Sequence, residues 1–391
     1  MLLTATDKPL VKRVNSVYSK RLLEYNNFEI VDRVGTLFKV QGFENYNHLL
    51  DVNSMFSNNA RFDPVDRTGL CTGPIRYATE RPWKIPTQEI SLDRALELRV
   101  KDLCNSKQKI NLLWSGGIDS TAIVVAFLKY APDIQQCRII YSPWSTYEHP
   151  EFYKLLQSRG DIDMLDISGE LYLNLDLDGI IVSGNSSDEI HASIDESFFT
   201  QYGYDFLFTP WEDFFYSKLP NNDFIDFCKQ HFLAAGKDIV SVLDARWWFY
   251  ASSKLTSILN IENLAFFASG SSFDPNRLIG FFDCDWYEQY IYFNVNNIIS
   301  SPDFATWRQF LKDFCYEYDG FDDWRVNKTK FNSSQMQVYT DKKQILNNAR
   351  SLMVLANGQI VATPNLPLFS LQEWNSIKQD YQYVFQSSDK I

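Results

Sequence analysis

The chain has no CxxC pair, no long apolar run and only four histidines, and each shortage removes a class of function. Its six cysteines (Cys71, Cys104, Cys137, Cys228, Cys284 and Cys315) are scattered. Without paired spacing they form neither a zinc ribbon nor a redox couple. They read as reduced thiols of a cytoplasmic protein. His48, His149, His191 and His231 have no partner at ligand spacing and read as surface or hydrogen-bonded side chains rather than metal ligands. No uninterrupted apolar stretch reaches transmembrane length, so no membrane partner is expected. The residues from Met1 to Asp7 lack a basic segment followed by an apolar run, so no signal peptide is expected. Positive charge is in deficit as well: 37 Lys and Arg face 49 Asp and Glu, a net charge of −12. That balance argues against a broad nucleic-acid-binding face. Internal repeats and low-complexity tracts are missing too.

What remains is the composition of a soluble globular protein, 45% hydrophobic and 22% charged over 391 residues. That length accommodates two or three domains with substantial cores. One stretch organises the rest. Ile110-Asn111-Leu112-Leu113-Trp114 is too short for a helix and is bounded by a Gly-Gly pair, so it reads as a buried strand. Ser115-Gly116-Gly117-Ile118-Asp119-Ser120 then turns into the apolar helix Thr121–Leu128. Gly116 and Gly117 allow a sharp turn and a close backbone approach to a ligand. Ser115 and Ser120 add hydroxyl donors. The following helix points free N–H groups and its positive dipole end at the loop. Such a loop is a cradle for an anion, and a phosphate or pyrophosphate is the expected occupant. The GxxxxGK[ST] spacing is missing, so this is not a Walker A loop. Asp119 stands where a phosphate loop ordinarily avoids negative charge. A carboxylate there makes sense when a divalent cation bridges it to the phosphates.

Around this loop the pattern alternates. Ser91 caps a helix that runs to Cys104. Cys137–Ser142, Asp163–Ile167 and Gly179–Gly184 read as further strands, with a short helix at 148–158 between them. Alternation of this kind predicts an α/β fold with a parallel sheet and crossover helices. Ligands of such sheets bind beyond the carboxyl ends of the strands, where the turns at 115–120 and 183–189 both lie. Residues 1–90 form a small mixed region, with strands at Phe28–Val31 and Thr36–Val40 joined through Gly35. Asn58–Pro86 reads as a long loop. A helical, aromatic lobe is expected at about 221–350, and its cluster Arg246-Trp247-Trp248-Phe249-Tyr250 reads as core. The run Met353–Ala362, with Asn357-Gly358 at its centre, is a hairpin signal. The expected division is therefore 1–90 and 91–391.

The second constellation, Ser183-Gly184-Asn185-Ser186-Ser187-Asp188-Glu189, follows the fourth strand. By itself it reads as a helix N-cap. Together with Asp119, Asp188 reads as a second carboxylate for magnesium.

The order Ser-Gly-Gly-x-Asp-Ser resembles the pyrophosphate loop of the ATP pyrophosphatase superfamily. With Ser-Gly-x-x-Ser-Asp-Glu after a later strand, the chain is similar to the synthetase domain of asparagine synthetase and β-lactam synthetase. The similarity covers roughly residues 91–335 and implies the adenine nucleotide α-hydrolase-like fold. It implies that Ser115, Gly116, Gly117, Asp119 and Ser120 bind the pyrophosphate of ATP. Leu113, Tyr141 and Ser142 would frame the adenine, and Ser183 and Gly184 would lie against the nucleoside. Asp119 and Asp188 would hold Mg2+. Gly280-Phe281-Phe282-Asp283 resembles the family's Pro-Phe-Leu-Asp element without the proline. Arg325-Val326-Asn327-Lys328-Thr329-Lys330-Phe331 resembles its late Arg-x-x-Lys-x-x-Phe segment. A lysine of that segment reaches the phosphates; Lys328 is the first choice here and Lys330 the second. The family usually has Glu where this chain has Asn185, and Phe-Gly-Gly where it has Ile190-His191-Ala192. The glutamine-using members begin with a catalytic cysteine, whereas position 2 here is Leu2, so no glutaminase nucleophile is expected in residues 1–90. The activity implied is an ATP- and magnesium-dependent ligase that adenylates a carboxylate and transfers the acyl group to an amine or ammonia. The amine would come from solution, from a second substrate, or from a separate glutaminase or carrier protein. The alternatives are a tRNA- or base-modifying ATP pyrophosphatase and a non-catalytic nucleotide-binding scaffold.

Overall fold

Short apolar runs become strands where flanking glycines and polar residues stop them and neighbouring runs can pair with them. The structure, a computed structural model, describes residues 23–25, 30–34, 37–40, 44–56, 66–71, 75–77, 82–167, 177–184, 202–254, 277–298, 308–328, 351–354 and 360–363. The chain divides into two units, one of Met1–Ile85, Asp205–Asn276 and Lys342–Ile391, the other of Pro86–Tyr204 and Arg277–Asp341.

The second unit carries the sheet. Its strands are β1 (Ile110–Leu113), β2 (Cys137–Tyr141), β3 (Asp163–Asp166), β4 (Ile180–Ser183) and β5 (Leu278–Gly280). They lie in the order β3-β2-β1-β4-β5, and every pairing is parallel. The expected α/β class with a parallel sheet therefore holds. Four strands coincide with the runs read from the sequence; β5 was not anticipated, since Gly280 was read only as part of a Pro-Phe-Leu-Asp-like element. The order matters for function. From β1 the chain winds outward through β2 and β3, then returns to the other side of β1 as β4. The carboxyl ends of β1 and β4 thus face the crevice where ligands of such sheets bind.

Seven helices of this unit are used below: α1 (Leu92–Cys104), α2 (Ile118–Tyr130), α3 (Pro143–Glu148), α4 (Pro150–Arg159), α5 (Asp285–Ile298), α6 (Gln309–Asp319) and α7 (Asp322–Asn327). Ser91 caps α1 by accepting from the Arg94 N–H at 3.2 Å. Helix α2 is apolar on nearly every side, and Ala122, Ile123, Val124, Val125, Ala126 and Phe127 are all buried. Each large apolar side chain buried this way contributes about 1.5–3 kcal/mol. Helix α6 packs on α2 and α5 on α1. The expected helix at 148–158 is α4, opened by Pro150, and a separate short helix, α3, opened by Pro143, precedes it.

In the other unit, Trp247, Trp248, Phe56, Phe215 and Phe224 are fully buried, and Arg246 through Tyr250 are core as expected. The strands Ile30–Val34 and Leu37–Val40 pair antiparallel, as do Ser351–Val354 and Ile360–Thr363. Gly35 and Asn357-Gly358 lie outside the described residues. Asn58–Pro86 is not all loop: Ile75–Tyr77 pairs with Leu23–Tyr25. Three residues give too little alternation to reveal a strand. The junctions between the units fall after Ile85, Tyr204, Asn276 and Asp341. Helices at Trp211–Lys218, Asn222–Leu233 and Val242–Phe249 group with the N-terminal segment, whereas α5, α6 and α7 group with the sheet. An amphipathic face shows that a helix packs, not on what it packs.

Candidate active site

The loop after β1 is built as its sequence demands. Gly116 adopts φ +78°, where an L side chain is strained, and a Cβ there would stand 2.5 Å from the Ser145 carbonyl oxygen. The two serines close the turn on itself. Ser115 N–H donates to Ser120 Oγ at 3.1 Å, and the two hydroxyls lie 2.9 Å apart. Gly117 N–H donates to Ser115 Oγ at 3.3 Å, and Ser120 Oγ donates to the Gly117 carbonyl at 3.2 Å. Helix α2 starts directly behind, with Gly117 as its N-cap residue and no side-chain cap. Its first N–H groups are available to an anion.

The strand order brings the second motif to the first. A Cβ on Gly184 would lie 3.3 Å from Ile123 Cδ1, 3.4 Å from Asp119 Cβ and 3.6 Å from Ser120 N, so the two motifs are in direct contact and a larger side chain would fill the space between them. Ser183, at the end of β4, is buried and pairs with Gly280. Leu113 ends β1 beside Ile140 of β2. Ser142 follows β2 and caps α3 in a capping box with Ser145. Ser145 Oγ donates to the Trp114 carbonyl at 2.8 Å, fastening α3 to the loop. Tyr141 stands at the same strand end, and its hydrogen bond to Tyr153 is the main reason its hydroxyl pKa rises to about 12. Asp188 and Lys330 lie outside the described residues.

Charge converges here from distant parts of the chain. Lys328, the residue after α7, is buried and donates to Glu148 Oε1 at 2.7 Å. Glu148 is itself in reach of the loop, its Cβ 2.9 Å from where a Gly116 Cβ would stand. Asp119 Oδ2 accepts a charge-assisted hydrogen bond from the Arg308 guanidinium. Neither Glu148 nor Arg308 was singled out from the sequence. They come from positions remote from the motif, and no local spacing announces them. Arg308 carries one backbone mark: its φ of 61° and ψ of 28° are left-handed, which costs a non-glycine residue about 1–2 kcal/mol.

Several buried polar atoms around the loop have no hydrogen-bond partner: Asp119 Oδ1, Glu148 Oε2, both ring nitrogens of His149 and Trp324 Nε1. Buried polar atoms are ordinarily paired, and the two carboxylate oxygens among these, Asp119 Oδ1 and Glu148 Oε2, belong to residues beside the Gly116 turn. His149 is stacked on Trp324 with centroids 4.5 Å apart and planes 10° from parallel. Burial, and secondarily the Lys328 charge, lowers its pKa to about 3, so it is neutral at pH 7. Asp119 Oδ1 suits a hard divalent cation, which prefers carboxylate oxygens. The loop backbone, Lys328 and Arg308 suit phosphate oxygens. Among the described residues, no helix is long and apolar enough to cross a membrane. No protein-family model and no curated protein matches this chain.

Proposed function

We propose that the protein is an ATP- and magnesium-dependent ligase that forms a carbon–nitrogen bond, as its resemblance to asparagine synthetase implies. One observation carries the reading. The Ser115–Ser120 loop meets Ser183-Gly184 at the ends of β1 and β4, a buried Lys328 reaches Glu148 beside the loop, and two carboxylate oxygens there, Asp119 Oδ1 and Glu148 Oε2, have no hydrogen-bond partner.

ATP is a substrate in this proposal. A carboxylate oxygen of the second substrate attacks the α-phosphorus. The bond from that phosphorus to the bridging oxygen breaks, and pyrophosphate leaves into the Ser115–Ser120 loop. A neutral amine then attacks the activated acyl carbon, AMP departs with the C–O bond electrons, and a proton is released from nitrogen. The chain's residues act mainly by position and charge. The Gly116-Gly117 backbone approaches the phosphates closely, and the first turn of α2 offers N–H donors. Lys328 offsets the negative charge that develops on pyrophosphate, with Glu148 fixing the ammonium in place. Leu113 and Ser142 face the base, and Ser183 and Gly184 the ribose. Magnesium, bound through Asp119 and through Asp188 by resemblance, would neutralise phosphate charge.

The test is release of labelled AMP and pyrophosphate from α-labelled ATP with magnesium, screened over carboxylates, amino acids and ammonia. The expected result is AMP that forms only with a particular carboxylate. Tight ATP binding with no AMP under any condition would instead favour a scaffold that has kept the loop.

A further inference from the structure

Arg308 is 5% exposed, and its guanidinium meets Asp119 of the loop from a position 189 residues along the chain. It occupies the N-cap position of α6 in a left-handed conformation and makes no side-chain cap hydrogen bond. Gly or Asn would fill that backbone position more comfortably, and capping is not what keeps an arginine there. Its carboxylate partner is half used, since Asp119 Oδ1 is buried without a partner. One carboxylate thus holds one cation and has an oxygen ready for another.

We propose that Arg308 is a phosphate-binding residue of the loop, held by Asp119 until a divalent cation takes that carboxylate. This rests on the nucleotide reading of the loop above. Without ligand, the Arg308–Asp119 pair keeps a buried guanidinium compensated, since a lone buried charge is costly. A divalent cation at Asp119 draws on the same carboxylate and weakens its grip on Arg308. The guanidinium then presents its forked N–H donors to phosphate oxygens, a match in geometry that an ammonium cannot reproduce. Arg308 and the cation compete for Asp119 when no phosphate is present, and they cooperate once it is.

The experiment is equilibrium binding to the full chain with two probes: Mn2+ alone, followed by its paramagnetic signal, and inorganic pyrophosphate in saturating Mn2+, followed by calorimetry. For Arg308→Gln the account predicts opposite shifts. Mn2+ alone binds tighter, on the order of several-fold, because its competitor is gone. Pyrophosphate binds weaker, on the order of tenfold or more, because a charge-assisted fork is lost. A merely structural role for Arg308 would weaken both. Arg308→Lys, which keeps the charge and covers the case in which Gln fails to fold, should leave Mn2+ binding near wild type and still weaken pyrophosphate. Unchanged pyrophosphate affinity, or shifts in the same direction, overturns the assignment while leaving the nucleotide reading intact. Wild-type protein that binds neither probe overturns both.

Discussion

His231 and His149 are both buried and both stacked flat on an aromatic ring, yet their nitrogens are treated differently. His231 lies on Phe249 at 5.1 Å with planes 7° apart; His149 lies on Trp324 at 4.5 Å with planes 10° apart. Trp248 Nε1–H donates to His231 Nδ1 at 2.9 Å, so Nε2 carries the proton and faces Asp66 Oδ1 at 3.3 Å. Asp66, Cys71 and His231 lie close enough together to share a metal ion, and in this tautomer Nε2 turns a proton rather than a lone pair toward that space. His149 makes no hydrogen bond at either nitrogen, its nearest carboxylate being Glu151 at 3.9 Å from Nδ1. Two of the buried arginines, Arg246 and Arg308, repeat the contrast. Arg246 sits 4.7 Å over the Tyr250 ring and donates to the Phe56 carbonyl at 2.7 Å, closing a helix end. Arg308 is spent on a carboxylate whose other oxygen is left open. Unsatisfied buried atoms also occur away from the loop, at Asn111 Oδ1, Ser252 Oγ and Asp319 Oδ2; what sets the loop apart is that two carboxylate oxygens, Asp119 Oδ1 and Glu148 Oε2, stand open beside the Gly116 turn.

The comparison can be broken most forcefully at the buried ion pair. Lys328→Met leaves Glu148 buried without its cation and should cost about 3–5 kcal/mol in urea unfolding, most of it recovered on adding Glu148→Gln. Arg246→Met removes the bond to the Phe56 carbonyl, a neutral acceptor, and should cost less, about 1–3 kcal/mol. Equal costs at the two sites would remove the distinction.

The histidines offer a sharper, pH-resolved version. The unfolded chain takes up a proton on His149 below its usual pKa of 6.5, whereas the folded protein holds it neutral down to about 3. Stability therefore falls as pH falls through this window, with a slope of up to about 1.4 kcal/mol per pH unit. His149→Phe keeps the stack, loses no hydrogen bond, and should flatten melting temperature between pH 6.5 and 5. His231→Phe removes the ring's contact with buried Asp66 and leaves the Trp248 N–H only the residue-231 carbonyl, so it should destabilise at pH 7 as well.

The smallest effect is expected at Asp319, whose carboxyl burial raises from the usual 3.8 to about 6. Here the folded state holds the proton longer, so stability is lost as pH rises through that interval. Asp319→Asn should raise stability at pH 7 by on the order of 1 kcal/mol after solvent screening, and the gain should vanish below pH 4. Thermal melts at the two pH values check it.

The loop was legible because its chemistry is contiguous: Ser115 to Ser120 determine their own turn, and β1 and α2 follow from adjacent apolar runs. The alternation predicted a parallel sheet, but not that β4 lies beside β1, which is what brings Gly184 to Asp119. Glu148 and Arg308 were invisible for the same reason. Each reaches the loop through tertiary packing of α3 and α6, and no spacing in the chain records it. The division of the helices between the two units was equally hidden, because a helix such as Val242–Phe249 is apolar whatever it packs against.

The account rests on the crevice between β1 and β4 being a nucleotide site. Its most direct test is calorimetric titration of magnesium α,β-methylene-ATP, which cannot be cleaved at the α–β bridge, into wild-type protein and Gly184→Val. The valine Cβ would sit 3.3 Å from Ile123 Cδ1 and 3.4 Å from Asp119 Cβ, and its methyl groups would fill the approach between the two motifs. The predicted result is binding by the wild type and none by a Gly184→Val protein that still melts cooperatively. Absence of binding by the wild type, or equal binding by the variant, would contradict it.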